Sequence, residues 1–122
     1  MLQRILVVDD EQDIRVFLTT LLETSGFKPA TAKDGLEGLE IARTTKPSLI
    51  IMDIMMPRES GIHMYREVKK DPDLRDIPVI MVSALSKKTF VHSQKLVDEY
   101  EGITVPEPAA YIEKPLDAEE IL

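Results

Sequence analysis

The 122-residue chain is predicted to be a single α/β domain: a doubly wound, five-stranded parallel sheet with helices on both faces. Three observations predict it. Short apolar runs alternate with amphipathic stretches along the whole sequence in the order βαβαβαβαβα, which implies right-handed crossovers between parallel strands. The strongest runs, Ile5-Leu6-Val7-Val8 and Ile50-Ile51-Met52, are continuous, as strands covered on both faces must be. Several runs also stop abruptly at a polar or charged residue, the position at which open α/β sheets bind their ligands.

The elements follow in order. Arg4–Asp9 is the first strand. Ile14, Phe17, Leu18, Leu21 and Leu22 recur at helical spacing until Ser25-Gly26 supplies a stop. Lys28–Ala32 is a short second strand. Asp34 caps a helix through Arg43, with Leu36, Leu39 and Ala42 expected to face inward, although Gly35 and Gly38 weaken it. Ser48–Asp53 is the third strand. After Pro57 and Gly61, Ile62, Tyr65 and Val68 mark a third helix that ends at Lys69-Lys70-Asp71-Pro72. Ile77–Ser83 is the fourth strand. Ser86–Gly102 reads as a helix with Phe90, Val97 and Tyr100 on one face. Ala110–Glu113 is the fifth strand, and Leu116–Leu122 begins a short last helix.

Composition narrows the function. Asp plus Glu is 22 against 15 Lys plus Arg, a net charge of −7, which argues against direct nucleic-acid binding because phosphate contacts need clustered cations. The absence of cysteine removes disulfide scaffolds, thiolate metal sites and cysteine nucleophiles together. Ile5–Val8 is too short an apolar run for a signal peptide or a membrane span, so a cytoplasmic protein is expected. The charge is uneven. The first 97 residues are neutral, and the whole excess lies in 98–122, where Asp98, Glu99, Glu101, Glu107, Glu113, Asp117, Glu119 and Glu120 face a lone Lys114.

The strand ends carry the chemistry. Asp9-Asp10, Asp53 and Ser83 close three strands and Lys114 closes a fourth, so the predicted topology brings them into one crevice. Three carboxylates in a small space repel and raise one another's proton affinity unless a cation offsets them. Mg²⁺ is the natural guest, since it takes hard oxygen ligands, and a lysine beside it balances the remaining charge and binds a phosphoryl oxygen. Singly, each residue has an ordinary reading: Asp9-Asp10 as a helix cap, Ser83 as a strand end, Lys114-Pro115 as a turn. A carboxylate such as Asp53 closing a buried strand is harder to dismiss, and the conjunction of all four ends favours a site. His63 and His92 are expected at the surface.

Four segments carry a resemblance: Val7-Val8-Asp9-Asp10-Glu11, Asp53-Ile54-Met55-Met56-Pro57 with Gly61, Val82-Ser83-Ala84, and Tyr111-Ile112-Glu113-Lys114-Pro115. Together they resemble the response-regulator receiver domain, the phosphoacceptor module of two-component signalling, over residues 1–122. The resemblance implies a flavodoxin-like strand order 2-1-3-4-5. It implies that Asp53 takes a phosphoryl group from a phosphohistidine on a sensor histidine kinase or histidine phosphotransfer protein. Asp10 would ligate Mg²⁺ directly and Asp9 largely through water, with Asp53 and the Met55 backbone carbonyl completing the protein ligands. Lys114 and Ser83 would hold the phosphoryl oxygens, Tyr111 would be the switch aromatic, and the Lys114-Pro115 peptide would be cis. Such a domain is not an enzyme beyond assisting its own phosphorylation and dephosphorylation. Its signal would leave through the surface of the fourth helix, fifth strand and fifth helix, towards an output domain, a protein partner or a phosphorylation-dependent dimer. The competing readings are a haloacid-dehalogenase-like phosphatase, which wants Asp-x-Asp after its first strand, and a pseudo-receiver used only for docking.

Two departures stand out. The connection from Ser83 to Lys114 is roughly ten residues longer than the family's usual one, and long connections tend to be functional or mobile. The extension covers about 86–109, and Pro106 and Pro108 restrict its second part. Met55 and Leu85, apolar neighbours of the site, are expected to hinder an attacking water and lengthen the life of an aspartyl phosphate.

Overall fold

The computed structural model describes residues 3–115. Strand β1 (Arg4–Val8) leads to α1 (Gln12–Thr24), β2 (Lys28–Ala32), α2 (Gly35–Thr45) and β3 (Leu49–Met52). A single 3-10 turn (Pro57–Glu59) precedes α3 (Ser60–Lys70), then β4 (Val79–Ser83), α4 (Lys87–Glu101) and β5 (Ala110–Glu113). All neighbouring strands pair in parallel, in the order β2-β1-β3-β4-β5. The last expected helix, Leu116–Leu122, lies outside the described residues. Among those residues no helix is long and apolar enough to cross a membrane.

The apolar runs look continuous but alternate in three dimensions. Leu6, Val8, Ile50, Met52 and Met81 pack with Leu39, Ala42, Met64, Tyr65, Val68 and Phe90 from α2, α3 and α4. Ile5, Val7, Ile51, Val82 and Ile112 pack on the other face with Leu18 and Leu22 of α1. Strands β1, β3 and β4 thus each feed two cores, which is why both parities of their sequences are apolar.

Two helices differ from their expected faces. Leu36 is exposed, because α2 buries Gly35, Gly38, Leu39 and Ala42 instead. The glycines permit this: a Cβ on Gly35 would stand 2.0 Å from the Ser60 carbonyl oxygen, so α2 approaches the start of α3 backbone to backbone. Tyr100 does not share the buried face of Phe90. The inward face of α4 continues as Gln94, Asp98 and Glu101, because a buried guanidinium on α3 meets it there. Arg66 lies 2.8 Å from Asp98 and 2.6 Å from Glu101, and donates from Nη1 to Gln94 at 3.0 Å.

The caps behave as expected of their residue types. Asp34 accepts from the Glu37 amide at 2.8 Å and Ser86 from the Thr89 amide at 3.2 Å, while Gly102 ends α4 at φ 71°. The long segment after α4 is docked. Val105 is buried in the larger core and its amide donates to Asp98, the Tyr65 hydroxyl donates to the Pro106 carbonyl, and the Ala109 amide donates to Val79.

Candidate functional site

Register places the strand ends. Val8 pairs with Met52 and Met52 with Met81, so Asp9 and Asp53 stand level with Val82, and Ser83 extends one residue further. Ser83 pairs with Glu113, which puts Lys114 immediately beyond it. Backbone bonds continue past the strands: the Asp53 amide donates to Val8 at 3.0 Å, and the Lys114 amide to Ser83 at 2.8 Å. Four elements remote in sequence therefore present side chains at one edge.

There Asp9, Asp10 and Asp53 each offer a carboxylate oxygen, all within 4.8 Å of one another. Asp9 and Asp53 are buried, and Asp10 is exposed. The two buried carboxylates are held alike. Oδ1 of Asp9 accepts from the Glu11 amide and Oδ1 of Asp53 from the Met55 amide, each at 2.9 Å. These are short local turns that fix the rotamer and leave Oδ2 to point elsewhere. Lys114 Nζ takes both free oxygens, at 3.0 Å from Asp53 and 3.3 Å from Asp9. Asp9 is thus no helix cap; Glu11 occupies that position without a side-chain bond.

One lysine does not settle this much negative charge. Burial pushes the Asp9 carboxyl above its ordinary range and Asp53 adds to the push, against the opposing Glu11 amide and Lys114. Burial alone would lower the Lys114 ammonium, but its bonds and charges with Asp53 and then Asp9 hold it above its ordinary value. The donor set is all oxygen, with one ligand at the surface and two inside. That fits a hard divalent cation such as Mg²⁺, which keeps several waters and takes few protein carboxylates.

The backbone around Asp53 is packed from below. A Cβ on Gly61 would stand 2.5 Å from the carbonyl oxygens of both Asp53 and Ile54, so the first turn of α3 presses against this loop and only glycine fits. Met55 is exposed at the rim.

Ser83 is fully buried, and its Oγ accepts from the Leu85 amide at 3.2 Å. Tyr111 is half-buried and packs on Phe90 at a 5.3 Å ring separation, with its hydroxyl donating to the Leu85 carbonyl at 2.6 Å. Burial holds its hydroxyl above the ordinary phenol range, partly offset by Ser83. Phe90 also meets Tyr65 edge-on at 6.2 Å, so an aromatic row runs from β5 to α3. The Lys114-Pro115 peptide is cis, as the resemblance implies. His63 and His92 are at the surface.

Two contributors carried no assigned role in the sequence reading. Glu11 stands 3.7 Å from Lys114, and the Arg15 guanidinium donates to the Asp9 carbonyl at 2.7 Å. The i+2 and i+6 spacing from Asp9 was visible, but their direction depends on how α1 leaves the sheet.

The chain is similar to known proteins in sequence and fold. The family model for the response regulator receiver domain matches residues 5–122. The polar-differentiation response regulator DivK of Brucella anthropi is 37% identical over 111 residues, covering 91% of this chain and 82% of that protein. Among solved structures, the receiver domain of a signal transduction histidine kinase from Syntrophus aciditrophicus superposes with a TM-score of 0.80 at 30% identity, over 98% of this chain and 83% of that one. Chemotaxis protein CheY4 of Vibrio cholerae gives 0.78 at 25% identity, over 99% and 93%.

Proposed function

We propose, for a chain that belongs to the response regulator receiver domain family, that Asp53 is its phosphoacceptor and that the residues around it form a phosphorylation-controlled switch. The observation that carries this is the single ammonium of Lys114 bridging Asp53 and Asp9 inside a cluster of three carboxylates.

The chemistry is positioning and electrostatics. An Asp53 oxygen attacks the phosphorus of a phosphohistidine on a sensor histidine kinase or phosphotransfer protein, and the N–P bond breaks as the O–P bond forms. Asp53 is aligned beforehand by the Met55 amide. Lys114 is already within reach of its carboxylate and neutralises charge that moves onto the phosphoryl oxygens. Asp9, Asp10, Asp53 and the Met55 carbonyl are the residues that would hold Mg²⁺, which when bound stabilises the equatorial oxygens of the transferring group. The Ser83 hydroxyl then donates to a phosphoryl oxygen as its Oγ leaves the Leu85 amide, and Tyr111 responds because its own hydroxyl is bonded to the Leu85 carbonyl. The outcome is a population shift in the surface of α4 and β5.

On this reading the domain catalyses only its own phosphorylation and dephosphorylation, and works in the cytoplasm with a protein partner at its acidic output face. Incubation with Mg²⁺ and acetyl phosphate, or with beryllofluoride, followed by mass spectrometry or spectroscopy tests it. One phosphate should appear on the native chain and none on Asp53→Ala. No gain on the native chain, or equal gain on the variant, overturns the assignment; turnover of free phosphomonoesters indicates a phosphatase.

A further inference from the structure

A cleft of about 480 Å³ opens beside the carboxylate cluster, and the two share a single residue, Asp10. One wall is the turn from β2 into α2, with Lys33 and Leu36. The other is the turn from β3 into α3, with Pro57, Arg58 and Ser60. Both helices begin at this cleft, so the positive ends of two helix dipoles lie against it. The phosphoryl chemistry described above uses none of these five residues.

Its polar groups lack partners. Lys33 and Arg58 are exposed, and the ion pairs found among the described residues include neither of them. Two acids line the same cleft without taking them up: Asp34 is turned to the Glu37 amide, and Asp10 belongs to the carboxylate cluster. The Ser60 hydroxyl oxygen is buried and has no hydrogen-bond partner, a rare condition that a ligand oxygen relieves. Arg58 sits at φ 60° and ψ 27°, a left-handed conformation natural to glycine or asparagine and strained for arginine. The strain holds its guanidinium at the cleft. The remaining surface is apolar, from Pro57 and from Leu36, which is 65% exposed.

We infer that this cleft is a binding site for a small organic anion with a flat apolar body, its head on Lys33 and Arg58 and its body against Leu36 and Pro57. The planar guanidinium fork matches the paired oxygens of a carboxylate or phosphate, and the lysine adds a second, mobile charge. Apolar walls with a few convergent polar groups, in a volume of this order, are the make-up of a small-molecule site. The head can be a carboxylate or a phosphate; the shared chemistry is an oxyanion on a ring. Because Asp10 lines the cleft, an occupant adjoins the carboxylate cluster without entering it. Binding there stands apart from the phosphoacceptor reading and does not need Asp53.

The test is a titration of the full chain, followed by amide NMR without Mg²⁺, with benzoate and with phenyl phosphate. At least one should bind saturably with a dissociation constant of about 1 mM, as suits so small a ligand. The shifts should centre on Lys33, Leu36, Arg58 and Ser60, and the tighter of the two probes names the head. Inorganic phosphate and benzyl alcohol, each carrying half of the chemistry, should bind at least about tenfold more weakly. Arg58→Gly keeps the backbone conformation and removes the guanidinium, and Leu36→Asp changes an exposed position. Each should weaken binding about tenfold. Lys28→Ala, at the other end of β2, and Asp53→Ala should bind as the native chain does. No saturable shift with either probe, inorganic phosphate binding as well as phenyl phosphate, or native affinity in Arg58→Gly each overturns the proposal. So do shifts centred on Lys114 that vanish in Asp53→Ala, which would place the probe in the phosphoacceptor site instead.

Discussion

Replacing Arg66 by methionine isolates the tie between α3 and α4. The change keeps an unbranched apolar stem and removes the guanidinium, whose side chain is 5% exposed. Removing one partner of a fully buried pair costs about 3–5 kcal/mol, whereas exposed pairs contribute at most about 1. Asp98 and Glu101 keep 17% and 32% of their side-chain surface, so water can partly replace the arginine. The intermediate value, about 2 kcal/mol, applies. Gln94 Oε1 is buried and loses its donor, which adds about 1. The total of about 3 kcal/mol corresponds to a fall in Tm of roughly 10 °C for a domain of this size. Urea unfolding of both proteins measures it, with an unchanged slope showing that the folded state is intact. The pH dependence is a second readout. Bonding to Arg66 holds the Glu101 carboxyl below its ordinary range despite some opposing desolvation, helped by Lys70. A lowered folded-state value gives stability that is present above the ordinary carboxylate range and lost as pH falls through it. The gap between native and variant should therefore be constant near neutrality and shrink on acidification. A loss below about 0.5 kcal/mol, or a gap that widens in acid, would refute the argument.

Three further outcomes are expected. Gly61→Ala should destabilise the fold by about 1–2 kcal/mol and slow phosphorylation by acetyl phosphate, since the clash with the Asp53 and Ile54 carbonyls outweighs the helix propensity gained; a stabilisation of about 1 kcal/mol in urea would mean the contact is absent. Burial, reinforced by Glu107 and opposed by Arg66, raises the Tyr65 ionisation above its ordinary value, so its contribution is present below about pH 10 and fades above it. The stability advantage of the native chain over Tyr65→Phe should accordingly narrow in alkali, and a widening gap in unfolding experiments would contradict that. Met55 is exposed beside Asp53, so Met55→Asn should shorten the aspartyl-phosphate lifetime several-fold by admitting and orienting water; equal decay rates in a phosphate-release assay would remove Met55 from that role.

Much of this architecture was legible because strands and site share one signal. An apolar run that ends in Asp or Lys announces both a buried strand and a charged group at its mouth, and Asp9, Asp53 and Lys114 were found that way. Caps at Asp34, Ser86 and Gly102 were equally local. What failed was any face decided by another element. Leu36 fits an inward pattern until the close approach of α2 to Ser60 rotates the helix onto its glycines. Tyr100 fits one until Arg66 makes a polar face the buried one. The acidic 98–122 segment shows the same dependence. Asp98 and Glu101 pair with Arg66, and Glu113 accepts from the Lys87 amide at the start of α4, so part of that charge is engaged within the domain.

The site's assembly from four strand ends has a consequence for the newly made chain. Asp9, Asp53 and Ser83 are synthesised well before Lys114, and Lys114 reaches them only when β5 joins the sheet beside β4. On the ribosome, a chain with its first four strands already paired carries three crowded carboxylates and no ammonium to offset them. If Asp53 is the phosphoacceptor proposed above, its maturation coincides with closure of the last strand, and competence for phosphoryl transfer would report completed folding. A nascent or partly unfolded receiver would stay silent to its kinase rather than signal wrongly.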